Sequence, residues 1–142
     1  MLNIAFGWLW ITMGFLSGAM LGLGFHKENF MGGYGSWERR LARLGHIAFF
    51  GTGFLNVLLG VTLMGIRPDA APTPGWQVVV EMLFIIGGIG MPICCFVTAK
   101  IKRLRHAFVV PALALMLGGV LLCFSLVINP LVMVLLGGGD WS

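Results

Sequence analysis

Two histidines stand at matched places in the chain and carry its clearest potential for chemistry. His46 and His106 each end a short stretch rich in arginine and leucine, and each is followed directly by a long apolar segment. Neutral imidazoles from two facing helices can bind the iron of a haem b axially, and helical bundles are a usual frame for such a site. We therefore predict haem b ligation by these two histidines, with Arg43 and Arg103 pairing with the haem propionates.

Other roles for the histidines stay open. His26 follows the first apolar segment on the same side as His46 and His106, and three imidazoles with an open coordination position suit Zn²⁺ or Cu²⁺. His26 could also act as an acid or base toward a quinol, which makes a quinone a candidate partner. An imidazole at the level of the lipid headgroups is, however, well solvated and needs no cofactor.

The composition shows which elements must position these residues. The 142 residues are 58% hydrophobic and 10% charged, with a mean hydropathy of +0.97, whereas about a quarter of the residues in soluble domains are charged. These values exclude a water-soluble globule and a disordered chain. A bilayer core takes about 20 apolar residues as a helix. The sequence therefore predicts one domain, residues 1–142, that is an all-α integral membrane four-helix bundle with spans at about 2–25, 43–66, 77–99 and 104–128.

The positions of the charged residues predict how the spans are oriented. Of the nine Lys and Arg residues, all except Arg67 lie in the connections that precede the second and fourth spans or in the first two residues of those spans. Because basic loops stay in the cytoplasm, we expect both termini outside, in an inner or plasma membrane. Interfacial aromatic residues are expected at the outer boundary: Trp8, Trp10, Trp76 and Trp141.

The net charge of +4 is explained by the same cations. They set the topology and can attract anionic lipid headgroups, so the charge needs no nucleic acid as a partner. The two basic stretches also resemble each other, which predicts two parallel-repeated helical hairpins in which His46 and His106 are equivalent.

Glycines and prolines predict how the helices pack and end. Gly14, Gly18 and Gly22 recur every four residues in the first span, a spacing that allows close helix packing. Pro92 is expected to bend the third helix. Asn129–Pro130 is expected to end the fourth, because proline disfavours helical backbone in the residue before it. Residues 131–136 would then lie at the interface or extend the span after a kink.

The predicted function is that of a small integral membrane subunit of a larger bioenergetic or electron-transfer complex. It would work with other membrane subunits and have no catalytic activity of its own. One alternative is a cofactor-free structural or assembly subunit that packs against partner helices and lipids. A second is a small carrier or channel that uses Asn56, near the middle of the second span, and the bend at Pro92. The Asn56 amide is also expected to hydrogen-bond across the bundle.

Overall fold

The computed structural model describes residues 2–66 and 74–135, with side chains described as far as Ile128. Its long helices are α1 (Leu2–Phe25), α2 (Trp37–Gly65), α3 (Gly75–Lys100) and α4 (Val109–Leu135), and two 3-10 segments cover Phe30–Gly32 and Lys102–Phe108. No strand occurs in the described part of the chain. Four helical stretches are long and apolar enough to cross a membrane. The predicted all-helical class with four candidate spans is therefore confirmed, while Arg67 and Trp141 lie outside the described residues.

The turn between α1 and α2 uses backbone that favours glycine. Met31, Gly32 and Gly33 have φ angles of 52°, 77° and 88°, and glycine adopts such angles without a steric cost. Ser36 then caps α2, because its Oγ accepts a hydrogen bond from the backbone N–H of Arg39 at 3.1 Å. A serine cap satisfies one of the unpaired donors at a helix start, and α2 begins directly after it.

The four helices pack as a row in chain order. α1 packs on α2, α2 on α3 and α3 on α4, while α1 meets α3 only over a short stretch. Among the described residues, α4 makes no more than a marginal contact with α1 or α2. Neighbouring helices run antiparallel, so both basic connections lie at one end of the row. We call this the basic end and define it by residues 26–43 and 100–108.

Glycines bring α1 and α2 into backbone contact. A Cβ at Gly7 would lie 2.6 Å from the carbonyl oxygen of Gly53, and a Cβ at Gly53 would lie 2.9 Å from the carbonyl oxygen of Gly7. Gly14 and Gly18 face ring side chains of α2. A Cβ at Gly22 would meet nothing within 4 Å. Two of the three glycines in the predicted stripe therefore serve the α1–α2 contact.

The contact between α3 and α4 also uses glycines, and here the nearest atoms belong to side chains, although a Cβ at Gly87 would also lie 3.1 Å from the carbonyl oxygen of Pro111. A Cβ at Gly118 would lie 2.9 Å from the Phe84 ring, and a Cβ at Gly90 would lie 2.8 Å from the Cβ of Pro111. Phe84 also belongs to a buried cluster that joins α2 and α3 through Leu59, Leu63 and Val80.

Helix α4 continues through Pro130 to Leu135, so the predicted helix end at Asn129–Pro130 is wrong. A proline inside a helix removes one backbone hydrogen bond, and membrane helices tolerate this where other groups compensate.

The two basic stretches differ in backbone conformation. Residues 40–46 lie inside α2, whereas residues 100–106 run from the end of α3 into a 3-10 segment. Ile101, which separates α3 from this 3-10 segment, has φ −122° and ψ 86°, and these angles are not helical. His46 is thus part of a long helix, while His106 precedes one.

Candidate functional site

Two asparagines form a buried hydrogen bond between α1 and α2. The Nδ2 of Asn3 donates to the Oδ1 of Asn56 at 2.8 Å and to the backbone carbonyl of Glu81 on α3 at 3.2 Å. Both asparagine side chains are 0% exposed. A buried amide without partners is costly in an apolar medium. These bonds therefore favour the one arrangement of α1, α2 and α3 that satisfies them.

Asn56 extends these contacts further along α3. Its Nδ2 donates to the carbonyl of Phe84 on α3 at 3.2 Å and to the carbonyl of Thr52 in its own helix at 2.9 Å. The prediction that Asn56 hydrogen-bonds across the bundle is confirmed. The Oδ1 of Asn3 is a further buried acceptor, and it has no donor among the described residues.

Pro92 creates another acceptor on α3. Because proline has no N–H, the carbonyl of Gly88, four residues earlier, lacks its usual helical partner. The indole Nε1 of Trp10 donates to this carbonyl at 2.8 Å. The Oγ1 of Thr52 lies 3.5 Å from it but donates its one proton to the carbonyl of Ala48 in its own helix at 2.7 Å. The indole stacks on Phe6 with 4.5 Å between ring centroids. A donor from α1 thus satisfies the carbonyl that the proline leaves free.

These groups together form what we call the polar core. It contains side-chain amides, a hydroxyl, an indole and backbone carbonyls, none of which changes its charge near neutral pH. The polar core can therefore hold helices in place, but its groups are unsuited to acid–base catalysis or proton relay. Its members are Asn3, Trp10, Thr52 and Asn56, with the carbonyls of Glu81, Phe84 and Gly88.

Sequence reasoning identified Asn56 in this cluster but missed Asn3 and Trp10. Asn3 stands at the start of an apolar segment, where a polar residue is expected to face the interface, and Trp10 was expected only as an interfacial anchor. The sequence does hold a signal for Trp10. Pro92 predicts a free carbonyl at Gly88, and a donor on a neighbouring span must satisfy it.

His46 lies between α1 and α2 near the basic end. Its Nδ1 is 3.1 Å from the Oγ of Ser17, and its ring packs edge-on against Phe50 with 5.2 Å between centroids. A Cβ at Gly18 would lie 2.5 Å from the imidazole Cε1, so this glycine makes room for the ring. The half-buried imidazole therefore faces α1.

His106 and His26 are exposed and lie on other elements. The Nε2 of His106, in the 3-10 segment before α4, accepts a hydrogen bond from the Nε of Arg105 at 3.4 Å. The Nδ1 of His26, just after α1, lies 3.1 Å from the carbonyl of Gly22. Within residues 2–66 and 74–128, no group of three or more His, Cys, Asp or Glu side chains could hold a metal ion. The structure does not gather His26, His46 and His106 into the predicted metal site.

The two predicted haem ligands, His46 and His106, lie on helical elements that do not face each other. Helix α3 lies between α2, which carries His46, and α4, which follows His106. Arg43 lies beside the α1–α2 turn, where its Nη2 donates to the carbonyl of Tyr34 at 3.5 Å. Arg103 is exposed in the 3-10 segment before α4. Haem b and a quinone stay predictions that rest on the sequence alone.

Comparisons with known proteins give no family to which these features could be assigned. No protein family matches the chain, and neither the curated proteins nor the solved structures contain a match.

Proposed function

We propose that this protein is a structural subunit of a larger membrane complex. In this proposal α1 to α3 form a fixed unit, and α4 meets a transmembrane helix of another subunit. One contrast carries the proposal: the polar core bonds α1 and α2 to α3, whereas the described residues of α4 pack mainly on α3 and form no hydrogen bond to another long helix. We place the basic end toward the cytoplasm of an inner or plasma membrane by the positive-inside rule.

The free side of α4 has a shape that supports this role. It presents an open and nearly flat apolar depression, called the groove below, that α4 alone lines and in which Phe124 and Val127 are each 65% exposed. A Cβ at Gly119 would meet nothing within 4 Å, so the groove has a notch near its centre. Membrane helices associate by close packing at such small residues. The groove is lined by Leu115, Met116, Gly119, Val120, Cys123, Phe124 and Val127.

The length of the groove fits a helix as its occupant. Residues 115–127 extend over about 18 Å of helix, or more than three turns. Within a bilayer the occupant must have its own backbone hydrogen bonds satisfied, and a transmembrane helix meets that requirement.

The polar core favours this structural role over a carrier or channel. Carriers place broken helices and free polar groups around a binding site. Here Asn56 is fully buried and bonded to α1 and α3, and the carbonyl freed by Pro92 is bonded to Trp10. These groups are already used to join three helices.

A photocrosslinking experiment in native membranes tests the proposal. A benzophenone amino acid at Val120, in the groove, is expected to give one protein adduct of defined mass. The same probe at Leu58, an exposed apolar position on α2, is the matched control and is expected to give lipid adducts only. Lipid adducts alone at both positions would contradict the proposal.

A second pair of variants links the adduct to the notch. Gly119→Leu fills the groove and is expected to remove the Val120 adduct and to lower the mass of the native complex. Gly51→Leu is the control, because a Cβ at Gly51 also meets nothing within 4 Å but lies on α2. Equal losses for the two variants would show that the groove is not the site of contact.

A further inference from the structure

Arg39 is a buried cation whose contacts are mainly aromatic. Its side chain lies near the start of α2 and is only 6% exposed. Its guanidinium carbon lies 4.2 Å from the centroid of the Phe25 ring and 5.5 Å from that of Tyr34. Its Nε is buried and has no hydrogen-bond partner among the described residues. A charge removed from water in this way requires a partner of opposite charge or several acceptors.

A second guanidinium contacts the same tyrosine ring. Arg43, one helical turn later, has its guanidinium carbon 4.6 Å from the centroid of the same Tyr34 ring. Cation–π contacts of this kind hold both groups on one ring. Like charges one turn apart on a helix repel each other. The pair is therefore arranged for an anion that both guanidinium groups can bind.

No carboxylate in the described part of the chain supplies that anion. Among the described residues the one salt bridge joins Glu38 to Lys100 at 3.1 Å. Glu38, the acid next in sequence to Arg39, is therefore already paired. Glu28, in the loop after α1, forms no ion pair with Arg39 or Arg43 within the described residues. The described residues therefore supply no counter-ion for this pair.

The depth of the two arginines points to a lipid headgroup. Helix α2 has 29 residues and is about 44 Å long, whereas the hydrocarbon core is about 30 Å thick. Arg39 and Arg43 lie in its first two turns, before the uncharged stretch that begins at Leu44. This places them where phospholipid phosphates lie.

We propose that Arg39 and Arg43, held on Tyr34, bind the phosphate group of an anionic phospholipid at the basic end. A planar guanidinium donates two parallel hydrogen bonds to phosphate oxygens, which gives such a site geometric specificity as well as charge. The site does not depend on a partner subunit, so it is independent of the function proposed above.

Binding of phosphatidylglycerol to the purified protein, counted by native mass spectrometry in detergent, tests the site. Arg43→Gln is expected to weaken binding about tenfold, the effect of losing charge-assisted hydrogen bonds. Arg40→Gln removes the same charge from an exposed neighbour and is expected to change binding less than about twofold, as for a rim charge. Arg39→Lys keeps the charge but loses the planar fork, and its affinity is expected to fall between these two.

Two results would overturn the proposal. The first is an equal effect of Arg43→Gln and Arg40→Gln, which would mean a diffuse attraction to basic residues. The second is displacement of the lipid by an equal concentration of inorganic phosphate, which would assign the site to a free anion. Failure of phosphate to compete supports the lipid. Helical content by circular dichroism identifies any Arg39 variant that misfolds, and Arg43→Gln then decides the question.

Discussion

Helix α3 contacts α2 on one side and α4 on the other, and the two contacts differ in chemistry. On the side that faces α1 and α2, the side chains of Asn3 and Trp10 on α1 and of Asn56 on α2 donate hydrogen bonds to backbone carbonyls of α3. On the α4 side, no hydrogen bond joins the two helices among the described residues, and glycines pack against apolar side chains such as Phe84. One contact is directional and the other depends on shape alone.

The two kinds of contact separate the helices with a fixed arrangement from the helix whose packing can change. Apolar side chains gain little by leaving lipid for one another, so shape-only contacts in a membrane can be replaced by similar contacts with another helix. A hydrogen bond in hydrocarbon has fewer alternatives, because no water replaces a lost partner. We therefore expect α1 to α3 to behave as one unit, while α4 is the helix whose packing a partner can alter.

The largest effect is expected where two backbones meet. Gly53→Val forces a side chain against the carbonyl oxygen of Gly7, which would lie 2.9 Å from the new Cβ and cannot rotate away. We expect a loss of about 2 to 3 kcal/mol in the free energy of unfolding, measured by SDS titration in mixed micelles. Gly51→Val, in the same helix with open space around it, controls for helix propensity and should lose little.

A corresponding pair of Gly→Val substitutions on α4 compares the α3–α4 contact with the α1–α2 contact. Gly118→Val would meet the ring of Phe84 at 2.9 Å, but a side chain can shift, so about 1 kcal/mol is expected. Gly119→Val is its control, because its Cβ meets open space. If Gly118→Val costs as much as Gly53→Val, the α4 contact is as rigid as the α1–α2 contact and the comparison fails.

The next effect in size concerns a hydrogen bond across the polar core. Asn56→Leu removes the oxygen that accepts from Asn3 and the N–H that donates to the carbonyl of Phe84. We expect the free energy of unfolding to fall by about 1 to 2 kcal/mol in the same titration. Ser125→Ala on α4 is the contrasting variant, since the Ser125 hydroxyl donates only to the carbonyl of Leu121 in its own helix. It should be nearly neutral, and similar losses for both variants would remove the distinction between the two regions.

Much of the fold follows from the sequence because charge is so sparse. A segment without charges has few stable states other than a membrane helix, so four spans and a helical class are predictable from composition and position. The role of Asn56 is predictable for a similar reason, since an amide in mid-span must find a partner.

The partners themselves were not predictable, because they depend on how helices rotate against one another. Asn3 and Asn56 are far apart in sequence, and no periodicity links them. His46 and His106 appear equivalent in sequence, yet the former packs against Ser17 on α1 and the latter lies in a 3-10 segment. The similarity of short basic stretches did not reveal the break at Ile101 that separates α3 from that segment.

The smallest expected effect concerns the carbonyl of Gly88 and tests the polar core most specifically. Trp10→Phe removes the indole donor at 2.8 Å and should lower the free energy of unfolding by about 0.6 kcal/mol beyond the loss from Trp8→Phe, an exposed control on the same helix. Pro92→Ala supplies a backbone N–H at the position that normally bonds to Gly88. In that background the extra cost of Trp10→Phe should disappear, because the carbonyl has a new donor. A double-mutant cycle measures this coupling directly. If Trp10→Phe costs as much in the Pro92→Ala background as in the unmodified protein, Trp10 contributes by ring packing. It would then not act by satisfying the carbonyl that Pro92 leaves free.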